Sequence, residues 1–358
     1  MSTPGPVSVS DVLDFQASSS AECSVNFPPA ICIGSVTVGG LVASVATKYA
    51  LSYASKHPKL RFQTDLRDAA HQFYRPIMPA NGIVTMKLHE VNVGRGWSNL
   101  RVELFQGEPR RICASANIII SNLSLPGVTL PTGWHLSPPA HRVDLSQLES
   151  HADPDWVCYH VGFYPNGFRR GQSYAKNFIP VHWPPQITYV EQWVVPGWDC
   201  TPLGSRDASK PPARWTNDMI EFVTDLILPV QENFILRKPD QPKPLGSIAA
   251  TLDFALAQNE ARERGDHEWR KLMNDGSLDF EGSLLINSTL SMSTEIKKRL
   301  PAEGVRWLYL RSEAKRVQNS RMDLEVLVFD EEMDLVAISH QDVHLIPADL
   351  KNTRTSAI

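Results

Sequence analysis

The sequence predicts an α+β chain made of two copies of one unit, a helix packed on an antiparallel sheet. Three observations carry this. Long strand-like runs bounded by Gly, Pro or Asn fall in two blocks, one ending near residue 121 and one beginning near residue 187. Each block holds one helix-compatible apolar stretch. When Pro76 is laid on Pro301, "GIVTMKLHEVNVGRGWSNLRVELFQGEPRRICASAN" lies against "GVRWLYLRSEAKRVQNSRMDLEVLVFDEEMDLVAISHQ" with matching strand lengths and turn positions. Ser115 then falls on Ser339 and Asn117 on Gln341. A unit written twice leaves a bare sheet edge on each half. Joining the halves edge to edge gives one continuous sheet.

Residues 1–29 are Ser/Pro-rich and read as an irregular arm. The first unit, 30–121, opens with "SVTVGGLVASVATKYALSYASKHP". There Val42, Val45, Ala46, Tyr49 and Ala50 recur at helical spacing, and Gly39-Gly40 mark the start. Strands follow in "AAHQFYRP", "GIVTMKLHEVNVG", "SNLRVELFQG" and "RICASANIIIS". Residues 122–186, rich in Pro, Gly, Trp and His, read as a connector wrapping the surface. Five of the eleven histidines lie in it at separations that fit no metal box.

The second unit, 187–347, begins with the strand "ITYVEQWVVPG". "RWTNDMIEFVTDLILPVQENF" predicts an amphipathic helix with Met219, Ile220, Phe222, Val223, Leu226 and Ile227 on its apolar side. "LAQNEARERGDHEWRKLMNDG" is charged on nearly all sides and reads as a solvated helix or loop. Four strand-like runs close the unit, and 348–358 form a tail.

The totals narrow the function classes. With 358 residues, 42% hydrophobic, 21% charged and a net charge of −4, the composition is that of a globular protein without a nucleic-acid footprint. No apolar run is long enough for a membrane span, and the N-terminus carries no secretory signal, so a cytoplasmic protein is expected. Five widely spaced cysteines with no C-x-x-C fit reduced thiols better than disulfides or zinc. No motif calls for a metal or a tightly held cofactor. The pattern is compatible with a homo-oligomer.

The helix opened by "VGG", the strand ending "FYRP" and "GRGWSNLRVELFQGEPRRICASA" resemble the first half of a double-hotdog acyl-CoA thioesterase. "RLPAEGVRWLYLRSEAKRV…LEVLVFDEEMDLVAISHQDVHLI" resembles the closing block of that family. The chain is also similar to the long fungal thioesterase-like proteins. The resemblance covers roughly residues 30–121 and 187–347. It implies a tandem (double) hotdog, each sheet wrapped on a central helix, with a hydrophobic tunnel between the halves. The implied activity is hydrolysis of an acyl-CoA or a carrier-bound acyl or polyketide chain.

In such enzymes an Asp, a Ser or Thr and a Gln orient the attacking water. Carried over, the Gln is Gln341, but the Asp position holds Ser293, with Thr294 beside it. The hydroxyl partner falls near Ser312 and Ser320 without a unique match. The usual base is thus absent from its usual place. The pseudo-symmetric twin of Ser293 is Asp68, eight residues before Pro76 and three before His71. The chemistry is therefore expected in the other cleft. There Asp68 or His71 would be the base, Asn117 would replace Gln341, and Gly39-Gly40 would offer backbone N–H groups.

Strand alternation puts Asp68 and His71 on opposite faces unless a bulge intervenes. Gln341 alternates with Ser339 and Val343 on an inward face, whereas His340 and His344 face out. Asp225, on the second helix, is a further candidate acid, and Arg95, in the "GRGW" turn, a candidate contact to a CoA phosphate; a solvated helix face and a plain hairpin turn are their simpler readings. Two alternatives stand beside hydrolysis. One is a repurposed pocket that cyclises, dehydrates or isomerises a small hydrophobic metabolite; the other is a catalytically dead acyl- or lipid-binding module.

Overall fold

A computed structural model describes residues 6–14, 20–165, 167–199, 211–236, 240, 243–266 and 285–347. Both predicted units enter a single 13-stranded antiparallel sheet. The first contains helix α1 (Val9–Leu13), strand β1 (Glu22–Val25), a small hairpin of β2 (Cys32–Ile33) and β3 (Val36–Thr37), and the central helix α2 (Gly39–Lys56). Strands β4 (Asp65–Phe73), β5 (Val84–Val93), β6 (Trp97–Gln106) and β7 (Arg111–Ser121) follow. The expected irregular arm is therefore partly ordered. Val9 and Leu13 bury into the core, and β1 pairs with β5.

Helix α2 forms where small and apolar residues alternate without a breaker, and eleven of its residues are buried. It stops at Lys56 because His57 precedes Pro58, which disfavours helical backbone; His57 is extended at φ −84°, ψ 130°. Leu41, Val45 and Tyr49 are fully buried, each stabilising the packing by roughly 1.5–3 kcal/mol.

Residues 122–186 do more than wrap the surface. They contain α3 (Leu145–Glu149) and two strands, β8 (Trp156–Tyr159) and β9 (Ala175–Pro180), that extend the sheet. Every residue of β8 is buried. Val157 and Tyr159 face one apolar cluster, and Trp156 packs on the other side with Phe178, Trp193 and Trp307. The Pro/Gly texture concealed strands covered on both faces.

The second unit supplies β10 (Tyr189–Pro196), helix α4 (Ile220–Thr224), helix α5 (Ile248–Glu263), β11 (Leu285–Ile296), β12 (Leu308–Glu313), β13 (Val317–Gln318), β14 (Arg321–Phe329) and β15 (Leu335–Pro347). The long helix expected over "RWTNDMIEFVTDLILPVQENF" breaks into two 3₁₀ turns, Asn217–Met219 and Gln231–Phe234, and the short α4. Pro229 explains the stop. Its ring would clash with the carbonyl of residue 225, and it drives Leu228 out of helical backbone. Part of the charged stretch belongs to α5, which buries Ala255, Gln258 and Ala261, so that face is not solvated. Residues 267–276 of the same stretch lie outside the described residues.

Strand order is β1-β5-β6-β7-β4-β11-β15-β14-β12-β10-β9-β8. The halves meet where β4 pairs with β11, from Gln72↔Ser291 to Asp68↔Glu295. Outward from that seam, β7, β6 and β5 match β15, β14 and β12 in order, the duplication the sequence predicts. No described helix is long and apolar enough to cross a membrane.

Candidate active site

The inner faces of β4, β11 and β15 meet the N-terminus of α2 and the 217–225 segment. On β4, burial alternates so that Ala69 and His71 point inward, while Asp68 and Ala70 face the other way. A bulge does occur in this strand, at Arg67, but it lies before Asp68 and leaves the Asp68/His71 alternation intact. As strand alternation predicts, Asp68 and His71 therefore do not pair. Asp68 instead sits opposite Glu295 across the seam. Its carboxyl is pushed up from the ordinary range, mainly by desolvation and then by the charges of Glu295 and Glu221.

His71 has a different acid. Its Nε2 lies 2.5 Å from Oε1 of Glu221, which α4 contributes from the other half, and both side chains are 2% exposed. Phe73 stacks on the imidazole, with centroids 6.3 Å apart. Nδ1 makes no hydrogen bond with the described residues. Glu221 was missed because it is flanked by Ile220 and Phe222 on what looked like a half-solvated helix; both sides of α4 are buried.

Asp225 ends α4 and reaches the start of α2. Its Oδ2 accepts the Gly40 N–H at 2.7 Å, and the Gly39 N–H also turns to it. The cap of α2 thus comes from 185 residues further along the chain. A carboxylate at a helix N-terminus is favoured by the dipole and the open N–H groups. Here burial outweighs those hydrogen bonds and pushes its pKa up to about 6. Gly40 is required by contact. A Cβ on Gly40 would meet the Glu221 carbonyl at 2.5 Å and Asp225 Cβ at 2.7 Å. The Gly40 N–H expected to stabilise an oxyanion is accordingly held by Asp225.

Gln341 faces inward as expected, 5% exposed, with Nε2 donating to the Thr224 carbonyl at 3.2 Å. His340 and His344 are exposed on the opposite face. Thr294 is fully buried and donates to Ser339 at 3.2 Å. Ser293, at the position of the family's Asp, alternates to the outer face. Asn117 is exposed on the outer face of β7, so it does not mirror Gln341. Arg95 is exposed in a turn whose Gly94 carbonyl binds Gln63, beyond the C-terminal end of α2 and away from Gly39. Ser44 accepts the Phe222 N–H at 3.1 Å and so helps fix α4 on α2.

His71 and Gln341 are both register partners of Met292, so they stand in one inner-face row. Two interstrand steps separate them by about 10 Å. On the other face of the same strands, Ala70, Gln72, Ser293, His340 and Asp342 wall an open groove of about 420 Å³, on the side away from the His71 and Gln341 side chains. A second cavity of about 340 Å³ lies between α2 and the 216–221 segment, with Glu221 in its wall. The dyad therefore opens on this second space through Glu221. Among the described residues no cluster of three His, Cys, Asp or Glu side chains is placed to hold a metal ion.

This duplicated fold, with its site at the junction of the halves, defines the double-hotdog class, and the chain belongs to the acyl-CoA thioesterase family. The family's N-terminal domain profile matches residues 27–121 and its C-terminal domain profile residues 206–345. The thioesterase-like protein TwmA of Talaromyces wortmannii is 25% identical, the match covering 92% of this chain and 89% of that protein. Acyl-CoA thioesterase II TesB2 of Mycobacterium marinum superposes with a TM-score of 0.54 at 13% identity, over 95% of this chain and 98% of that one. A hot dog fold protein of unknown function from Alicyclobacillus acidocaldarius gives 0.60 at 12% identity, over 94% and 97%.

Proposed function

We propose that this protein hydrolyses an acyl thioester, with His71 as general base and Glu221 as the group that orients it. The buried His71–Glu221 pair, built across the two halves of a thioesterase-family fold in one inner row with Gln341 and with Glu221 in the wall of a cavity of about 340 Å³, carries this reading. Glu221 accepts Nε2–H, which leaves Nδ1 as the basic nitrogen. A water held there loses its proton as it attacks the thioester carbon. The Gln341 amide, with one Nε2 hydrogen on the Thr224 carbonyl and a second to give, is the neutral donor in the row where the oxyanion would develop. Asp68, Asn117 and Ser293, facing away, stand outside this chemistry.

The test is release of free thiol from a panel of acyl thioesters. His71→Phe should lower kcat by about 10²–10⁴-fold, the usual worth of a positioned base, while Ser293→Ala should leave it within about twofold. Equal rates for wild type and His71→Phe would sink the assignment.

A second reading has its own support. With the Gly40 N–H on Asp225, the α2 N-terminus is not free to stabilise an oxyanion, which favours proton transfer on a bound metabolite without water attack. That chemistry (cyclisation, dehydration or isomerisation) would also need His71 but would convert substrate without releasing thiol.

A further inference from the structure

The charge around the dyad bears on what can reach it. The cavity walled by Glu221 carries Lys48 and Arg299 against Asp14, Asp65, Asp218 and Glu221, two more carboxylates than cations. Its cations are also engaged. Lys48 sits 2.5 Å from Asp218 and Arg299 3.2 Å from Asp65. An adjoining cleft of about 500 Å³ is balanced, with Lys298 on Asp330 and Asp334, and Arg214 donating to the Gly304 carbonyl.

A polyanionic nucleotide seated at either mouth would meet carboxylates or would have to break existing pairs. The walls do offer a group for a neutral ligand. Thr47 Oγ1, on α2, is buried at 3% exposure, lines the second cavity and has no hydrogen-bond partner among the described residues. A buried hydroxyl left this way is costly unless something bonds it. A carbonyl, amide or hydroxyl of a ligand would.

Resting on the acid–base reading of His71 and Glu221, we infer that the substrate reaches this site on a neutral or cationic carrier group rather than on the polyanionic nucleotide of CoA. A short uncharged thiol ester, or an acylated metabolite with an amide or amine end, has the matching chemistry. Thr47 is then a specificity-determining residue.

The experiment compares binding of two hydrolysis-resistant thioether analogues of one medium-chain acyl group, one on CoA and one on N-acetylcysteamine, by calorimetry at low and at high salt. The neutral analogue should bind roughly tenfold tighter at low salt, and added salt should narrow the gap by screening the repulsion. Asp218→Asn, which frees Lys48, should tighten the CoA analogue several-fold and leave the neutral one unchanged. Thr47→Val should weaken the neutral one. Tighter binding of the CoA analogue at low salt, lost as salt rises, overturns the inference, as does failure of both analogues to bind. If binding follows this pattern and no thioester is turned over, the hydrolytic reading falls and this one stands.

Discussion

Asp225 faces two opposed influences, and its titration shows which is stronger. The α2 N–H groups favour the carboxylate, burial favours the acid, and burial wins with a pKa of about 6 against an ordinary 3.8. The folded state therefore holds a proton that the unfolded chain has released between about pH 4 and pH 6. Bound protons are fewer in the unfolded state, so stability is full below pH 4 and falls as pH rises to 6. Full linkage would be about 3 kcal/mol; because Asp225 keeps some solvent contact, a loss on the order of 2 kcal/mol is expected. Denaturant titrations across this window should show that decline in the wild type and a flatter profile in Asp225→Asn. A wild-type profile that rises over pH 4–6 would contradict the assignment. Glu221 makes a related point about reading acids from sequence. Positions 221, 224 and 225 fall outside the apolar set of that helix and read as its wet side, but they face α2 and the inner sheet, the one place where polar groups meet a site.

At the scale of elements, the site depends on how closely α4 lies on α2. The contact is so tight that Gly40 has no room for a methyl group: the obstructing atoms are the Glu221 carbonyl, Asp225 Cβ and, at 3.0 Å, Phe222 Cα, two of them backbone. Gly40→Ala must push α4 away, which is expected to cost about 1–3 kcal/mol and to separate Glu221 from His71. Gly96, whose added Cβ would meet nothing within 4 Å, is the control; Gly96→Ala should stay within about 0.5 kcal/mol. Denaturant midpoints for the two variants, with activity measured alongside, check this. Equal stability of both would mean that α4 is not pinned here. The glycine pair was legible in the sequence as the start of a helix, since "VGG" precedes a clean apolar period, and alternation gave the inward aim of Gln341 once the family resemblance had singled that residue out. What could not be read was that a proline four residues after Asp225 would cut the second helix short. Nor could spacing show that the cut end would cap its counterpart, because the cap is a contact between residues 185 apart. The strands β8 and β9 escaped for a similar reason. Their aromatic residues are covered on both faces, so they show no alternation to detect.

At the scale of the molecule, the seam between β4 and β11 makes the two halves thermodynamically one. The inner row His71–Met292–Gln341 runs straight through it, and one apolar cluster draws Leu41 and Tyr49 of α2 together with Phe222 and Val223 of α4. A first half unfolding alone would strip α4 of its packing surface, expose the β11 edge, and leave Glu221 buried without its histidine. Each of these penalises a half-folded state, so the chain should unfold in a single transition. The residues provide two separate reporters. Of nine tryptophans only Trp97 lies in residues 30–121, so fluorescence follows mainly the rest of the chain. Far-ultraviolet circular dichroism is weighted toward the long helices, and α2, the longest among the described residues, belongs to the first half. Denaturation followed by both signals should give coincident midpoints. His71→Phe should move the two midpoints together. Two resolved transitions, with dichroism lost before fluorescence, would mean that the seam joins strands without coupling the halves, and that the dyad sits between domains free to open.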